Sequence, residues 1–375
     1  MSGIYIHIPF CKQACHYCDF HFSTSLKKKD EMVVALSKEI ALRKNEFKDE
    51  IVETIYFGGG TPSILDIVDL RFLIDEVYLN YNMTENPEIT IEANPDDLTE
   101  ARITELSNNR INRLSIGIQS FFEEDLKLMN RAHNSAEAIK CLEIATKYFD
   151  NISIDLIYGV PGMSNEKWMQ NVEMALSFNV PHISSYALTV EPKTALHSFI
   201  QKGIIPMPDD EVAQEHFYLM VDKLEDNGFI HYELSNFGKE NYFSRNNSSY
   251  WQGKKYVGIG PSAHSYDGVS RSWNVSNNSA YIKSISANQL PSETETLTTT
   301  DRYNEYVMTG LRTIWGISLK RIESDFGPSY LNYLHQQSAK YIDDHLLFTD
   351  DDIIRTTKSG KFLCDGIASD LFMLN

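Results

Sequence analysis

The chain has 375 residues, 42% of them hydrophobic, enough for one large domain and a smaller one with a sizeable core. A formal net charge of −18 excludes the basic footprint that nucleic-acid binding needs and argues equally against a polybasic membrane anchor. No apolar run reaches the length of a membrane span and the first residues lack the sections of a signal peptide, so a cytoplasmic, thiol-reducing location is expected.

The first predicted element is a strand over residues 4–8, ended by Pro9, which has no N–H to donate. Cys11, Cys15 and Cys18 follow at once, three of the five cysteines, spaced C-x3-C-x2-C. An odd set of thiols in a reducing compartment does not read as a disulfide framework. A structural zinc site wants four ligands. His16 and His21 could complete one on paper, although His16 lies in the tight part of the loop, where its side chain is expected to point away from the thiolates. Three thiolates also suit a [4Fe–4S] cluster with one iron left open for a chelating substrate, a departure from four-cysteine ligation. The residues favour the cluster and leave zinc as the alternative.

Lys27-Lys28-Lys29, followed by Asp30-Glu31, reads as the solvated start of a helix over residues 30–45. Strands over residues 52–57, 88–93, 114–119, 152–158 and 182–190 then alternate with helical patterns. Such alternation implies a parallel sheet with helices outside. Six units suggest a complete or open barrel with chemistry at the carboxyl ends of its strands, with a doubly wound sheet as the alternative. Polar residues gather at those ends: Gly58-Gly59-Gly60-Thr61-Pro62 after the second strand, Glu92 and Asn94-Pro95 after the third, Gln119-Ser120 after the fourth, and Asp155 inside the fifth. Each alone fits a tight turn or a satisfied structural residue. Their recurrence at successive strand ends points to a site.

Beyond residue 190 the alternation stops. A helix over residues 211–227 precedes a strand over 230–237 and the segment Asn246 to His264. Gly258 and Gly260 form no nucleotide fingerprint, because Pro261 intrudes and no helix signal follows. From about residue 290, helical runs over 303–314, 318–326, 330–345 and 360–372 enclose a hairpin over 346–356, the pattern of a small winged-helix-like domain. The acidic balance makes that domain a lid or partner surface rather than a DNA reader. The expected division is 1–290 and 291–375. Cys141 and Cys364 fall in helical, partly apolar contexts and read as inert core thiols.

The cysteine loop resembles that of the radical S-adenosylmethionine (SAM) superfamily, C-x3-C-x-aromatic-C, with Tyr17 at the aromatic position. The resemblance extends over nearly the whole chain. Residues 5–11, Gly58-Gly59-Gly60-Thr61-Pro62, residues 115–120, Asn130-Arg131-Ala132-His133 and residues 155–162 are similar to the oxygen-independent coproporphyrinogen III oxidase group, which includes the HemW heme chaperones. It implies an open (β/α)6 radical-SAM partial barrel followed by a HemN-type C-terminal domain. It implies a [4Fe–4S] cluster on Cys11, Cys15 and Cys18, whose open iron chelates SAM. One electron from the cluster would then yield a 5′-deoxyadenosyl radical. The SAM-binding residues it implies are Tyr5, Tyr17, Gly59, Gly60, Thr61, Glu92, Gln119, Arg131, Asp155 and Ala187. It further implies heme as ligand, a heme-acceptor protein, and an electron donor such as a flavodoxin or ferredoxin.

Within the group, the oxidases carry a fourth cysteine two residues beyond the third and a substantial arm before the loop. Here Phe20 stands at the first position and ten residues precede Cys11. Both features favour a heme chaperone over an enzyme that decarboxylates coproporphyrinogen III; nothing supports another radical-SAM reaction on a tetrapyrrole. The chaperones' His-Asn-x-x-Tyr-Trp motif reappears at Asn246 to Trp251 with Asn246 in place of the histidine. A heme ligand must then be sought elsewhere: His264 is a candidate, with a hydrogen-bonded structural role as its alternative.

Overall fold

A computed structural model describes residues 2–374. Six parallel strands, β1 (Ser2–Ile8), β2 (Val52–Gly59), β3 (Met83–Ala93), β4 (Arg113–Gln119), β5 (Ile152–Tyr158) and β6 (His182–Ala187), lie side by side in chain order. Parallel strands covered on both faces become continuous apolar runs, and every residue of β4 is buried. Helices cover the outer face, among them Lys29–Leu42, Ile67–Asn80 and Ser135–Ala145. The last begins in a capping box, the Asn134 side chain accepting from the Glu137 N–H while the Glu137 carboxylate accepts from that of Asn134.

The sheet continues past both edges of this unit. The predicted strand 230–237 is a hairpin, β7 (Ile230–Glu233) and β8 (Asn236–Gly238), with β8 antiparallel to β6. The turn breaks the run because Ser235 N–H and the Asn236 amide both donate to the Glu233 carboxylate. On the other side β9 (Lys255–Ile259) joins β1 in parallel, and β10 (His264–Tyr266), β11 (Ser270–Asn274) and β12 (Ser292–Thr296) follow antiparallel. One 12-stranded sheet results. From β1 to β6 the strand order follows the chain without the reversal that a doubly wound sheet requires. The open (β/α)6 partial barrel is therefore observed, and the doubly wound alternative is not.

Helix Arg245–Trp251 lies under the amino ends of β1 and β2. A second core forms around Tyr303, Leu311, Ile322, Leu334, Leu347 and Ile354. It belongs to helices Thr299–Leu311, Leu319–Phe326 and Pro328–Asp343 and a three-stranded sheet of Ile317–Ser318, Leu347–Asp350 and Ile353–Thr356. The run expected as one helix over 360–372 is two, Lys358–Phe362 and Cys364–Asp370. Cys141 and Cys364 are buried, and burial pushes both thiols up to about 12, as inert core thiols require. Among the described residues no helix is long and apolar enough to cross a membrane.

Candidate cluster and cofactor site

The cysteine loop leaves the carboxyl end of β1 and is tied down at several points. Ser23 N–H donates to Pro9 O and Cys11 N–H to Ser23 O, at 2.9 and 3.1 Å. The Asn130 amide donates to Ala14 O at 2.7 Å, and the Gln13 amide returns a bond to Asn130 O at 3.0 Å. Lys12 pairs with Asp96 at 3.2 Å and also with Asp97. Leu196 N–H donates to His16 O at 2.8 Å. Segments distant in sequence thus hold three thiols at the mouth of the barrel. Asn130 takes a left-handed conformation to do so, φ 56°.

Cys11, Cys15 and Cys18 are all partly exposed. Burial, with the neighbouring Cys15 and Cys11, pushes the Cys18 thiol up to about 11. Burial likewise raises Cys11, opposed by a hydrogen bond from Thr61. Thiols this close favour the neutral form until a cation compensates them, which suits ligands that deprotonate on metal binding. Neither histidine joins them. His16 Nδ1 bonds Leu128 O at 2.8 Å and its ring meets Phe199 edge-on, while His21 Nε2 bonds Asn278 Oδ1 at 2.7 Å. The four-ligand zinc alternative therefore lacks its fourth ligand. Among the described residues no three His, Cys, Asp or Glu side chains converge on a single-ion site.

The expected cofactor residues line the same mouth. Glu92 accepts from the Tyr56 hydroxyl at 2.8 Å and from Gly59 N–H at 3.1 Å. Burial raises its pKa. Burial, then the nearby Glu92 charge, pushes Asp155 up to about 7. Tyr5 stacks on Tyr56 with centroids 6.1 Å apart, and its hydroxyl lies 3.1 Å from His7 Nδ1. Arg131 is the hub. Nη2 donates to Asn94 Oδ1 at 2.6 Å and Gly117 O at 2.8 Å; Nη1 reaches Cys15 Sγ at 3.3 Å and Tyr17 Oη at 3.5 Å. Its buried Nε has no partner. Gln119 ends β4 in the left-handed region, φ 66°, and Ala187 ends β6, partly exposed.

The glycine run fits a close approach. A Cβ on Gly60 would meet Phe10 O at 2.6 Å and Ile8 O at 2.8 Å, and one on Gly59, φ +107°, would meet the His7 ring at 2.4 Å. The N–H groups of Gly59, Gly60 and Thr61 are taken by Glu92, Ile8 O and Phe10 O. The run therefore meets a ligand by accepting, which suits an ammonium. Paired carboxylates suit the hydroxyls of a ribose. A buried guanidinium beside the thiols suits a carboxylate. The donor set thus fits both a cluster and SAM.

Asn94, singled out with Pro95 at the end of β3, orients Arg131. Two residues escaped the sequence reading. Tyr56 positions Glu92, and its signal was a hydroxyl inside an apolar strand. Arg113, 1% exposed in the barrel floor, carries a buried Nε with no partner and acts electrostatically on Glu92 and Asp155. Among the described residues it forms no ion pair, and a charged residue opening a strand does not by itself reveal that.

Asn246, where the motif histidine is replaced, lies beneath the barrel and 2% exposed. It accepts from the Thr54 hydroxyl at 3.0 Å, and its N–H donates to Glu88 at 3.1 Å. His264 is exposed, and its ring has no hydrogen bond among the described residues; it stands 6.2 Å from Trp273. The hydrogen-bonded structural role is therefore not what His264 plays.

Residues 5–175 match the profile of the Radical SAM superfamily, and residues 297–363 match the HemN C-terminal domain. The chain is 34% identical to the heme chaperone HemW of Bacillus subtilis, covering 97% of each chain. It is 32% identical to that of Lactococcus lactis, covering 98% of each. The Escherichia coli coproporphyrinogen III oxidase HemN, a radical SAM enzyme, superposes with a TM-score of 0.86 over 99% of this chain and 90% of its own, at 23% identity, a likeness of fold alone.

Proposed function

The chain belongs to the heme chaperone HemW family, with the radical SAM fold, and from that premise we propose that it binds heme and passes it to acceptor proteins. The observation that carries this reading is full-length similarity to relatives named heme chaperones, 34% over 97% of both chains. Phe20 adds to it. The residue two beyond Cys18 is a phenylalanine, 70% exposed at the edge of the loop, where the oxidases of the group carry a fourth cysteine.

In this reading Cys11, Cys15 and Cys18 hold a [4Fe–4S] cluster. Tyr5, Tyr17, Gly59, Gly60, Thr61, Glu92, Gln119, Arg131, Asp155 and Ala187 form the SAM site. Cluster and SAM, when bound, supply one-electron reductive chemistry. The chain's own residues bind and orient: the glycine run and Glu92 accept from an ammonium, Arg131 meets a carboxylate, and Asp155 accepts from ribose hydroxyls. The reading includes an electron donor of the flavodoxin or ferredoxin class and a cytoplasmic setting, where thiols stay reduced.

The test is anaerobic. The chain with its cluster reconstituted is loaded with hemin and mixed with an apo-hemoprotein. A parallel tube receives SAM, a reductant and coproporphyrinogen III. Hemin is expected to move to the acceptor, and the second tube to form no protoporphyrin beyond the amount of chain. Catalytic protoporphyrin would overturn the chaperone reading and make the chain an oxidase despite Phe20.

A further inference from the structure

Away from the cluster mouth lies a cleft of about 570 Å³ between the sheet extension and the C-terminal helices, within the roughly 300–1,000 Å³ of small-molecule sites. Its two walls are aromatic and come from different parts of the fold, the helical one packed on the second core. The sheet side offers Tyr250 and Tyr256, with ring centroids 4.5 Å apart, and Tyr266, 6.4 Å from Tyr256. The helical side offers Tyr306 and Phe326, stacked at 6.3 Å. Facing walls of this kind suit a flat aromatic ligand.

The charge in the cleft runs against that of the chain. Three arginines, Arg271, Arg302 and Arg321, face two carboxylates, Glu305 and Asp325, in a protein with net charge −18. Arg321 lies over the Tyr306 ring at 4.2 Å and donates to Asp325 at 3.2 Å. Arg271 Nη2 is 2.7 Å from Glu305 Oε1, an ion pair without hydrogen-bond alignment, and 3.9 Å from Glu295 Oε2, while its buried Nε has no partner. The Arg302 side chain forms no ion pair or hydrogen bond among the described residues, and its Nε is also buried and unpartnered. Arg302 and Arg321 both act on the Tyr266 hydroxyl across the cleft. Arg302 is half-buried, and a buried guanidinium N–H left without an acceptor is costly unless an anion meets it.

We propose that this cleft is the seat of a carboxylate-bearing tetrapyrrole, its ring between the two aromatic walls and its carboxylates on Arg302 and Arg271. The identity of the ligand rests on the heme-chaperone reading; the place rests on the cleft itself. The cargo would then sit in a compartment apart from the SAM site, on a surface shared by the sheet extension and the C-terminal helices. A displacement of the C-terminal helices would open one wall and release it. Asn246 lies behind Tyr250, in the barrel floor, and would support the sheet-side wall without touching the cargo.

The test uses the full chain with its cluster reconstituted, titrated with hemin and with hemin dimethyl ester, and followed by quenching of tryptophan fluorescence. Arg302→Glu is expected to weaken hemin binding about 10-fold or more, and the Arg271→Glu, Arg302→Glu pair further, with SAM affinity unchanged. Arg302→Lys should recover most of the loss. The ester should bind the parent more weakly than hemin and be indifferent to both reversals. Hemin affinity unchanged in a folded, SAM-binding Arg302→Glu chain would overturn the assignment of the cleft while leaving heme binding intact. A parent chain that binds no hemin would overturn the heme reading and the cleft with it. If the charge reversals do not fold, equal affinity of the parent for hemin and its ester sinks the role of the arginines.

Discussion

Two glutamates on one face of β3 belong to opposite ends of the barrel. Glu88 and Glu92 are separated by about 13 Å at ~3.3 Å per residue, and each accepts two hydrogen bonds. Glu88 is 4% exposed and takes the N–H groups of Asn246 and Arg245 at 3.1 and 3.2 Å. These open helix Arg245–Trp251, whose dipole favours a negative charge there. Glu92 takes Tyr56 and Gly59 at 2.8 and 3.1 Å, acts as a like charge on Asp155, and among the described residues forms no ion pair; Arg113 acts on it only through space. Equal numbers of hydrogen bonds therefore mean different things. At the floor a carboxylate is matched by the fold. At the mouth it is held unmatched, the condition of a group kept for a ligand.

The contrast can be broken by mutation. The largest effect is expected at the mouth: Cys11→Ala should abolish cluster assembly, and full cluster iron per chain after anaerobic reconstitution would refute the ligand assignment. Next, Glu92→Ala should weaken SAM binding about 10-fold or more, roughly 1.4 kcal/mol, with cluster iron unchanged. Calorimetric titration of the reconstituted chain measures it, and Glu88→Ala is the matched control, which should leave SAM affinity alone and lower the melting temperature. Equal SAM affinities in both variants would dissolve the distinction between the two ends.

Asn246→His sharpens it from below. Restoring the motif histidine in the sealed floor should cost about 1–3 kcal/mol through overpacking against Thr54 and Gly3 and leave hemin affinity as it was. Tighter hemin binding with undiminished urea stability would show that the floor is open to the ligand. The smallest effect is one of pH. Asp155 holds its proton up to about 7 in the fold, while the unfolded chain releases it near the ordinary carboxylate value of ~4. The native state thus binds the extra proton between those values, and stability falls as pH rises through that window. Asp155→Asn should remove the fall, so the SAM-free variant gains on the order of 1–2 kcal/mol over the parent at pH 8 and little at pH 4. The urea midpoints at the two pH values check it. A gain equal at both would exclude titration of Asp155.

Much of the mouth was legible in order along the chain, because its parts are local. Three thiols within eight residues must share one loop whatever the rest does. The glycine run follows its strand directly, and a period of strand and helix repeated six times commits the backbone to a parallel sheet. The strand 230–237 misled because hydrophobic alternation is blind to a carboxylate that recruits a turn.

The sequence by itself determined the cysteine loop, the alternation of strands and helices, and the helices-and-hairpin character of the last segment, since each is set by neighbours within a few residues. Tertiary structure alone decided which glutamate of β3 faces a ligand, why Asn246 is a floor residue, and where Arg113 and Arg302 stand without partners. Those are questions of which charge meets which across the fold. Desolvation and pairing are set by groups far along the chain, and the aromatic cleft exists only where the sheet extension meets the C-terminal helices.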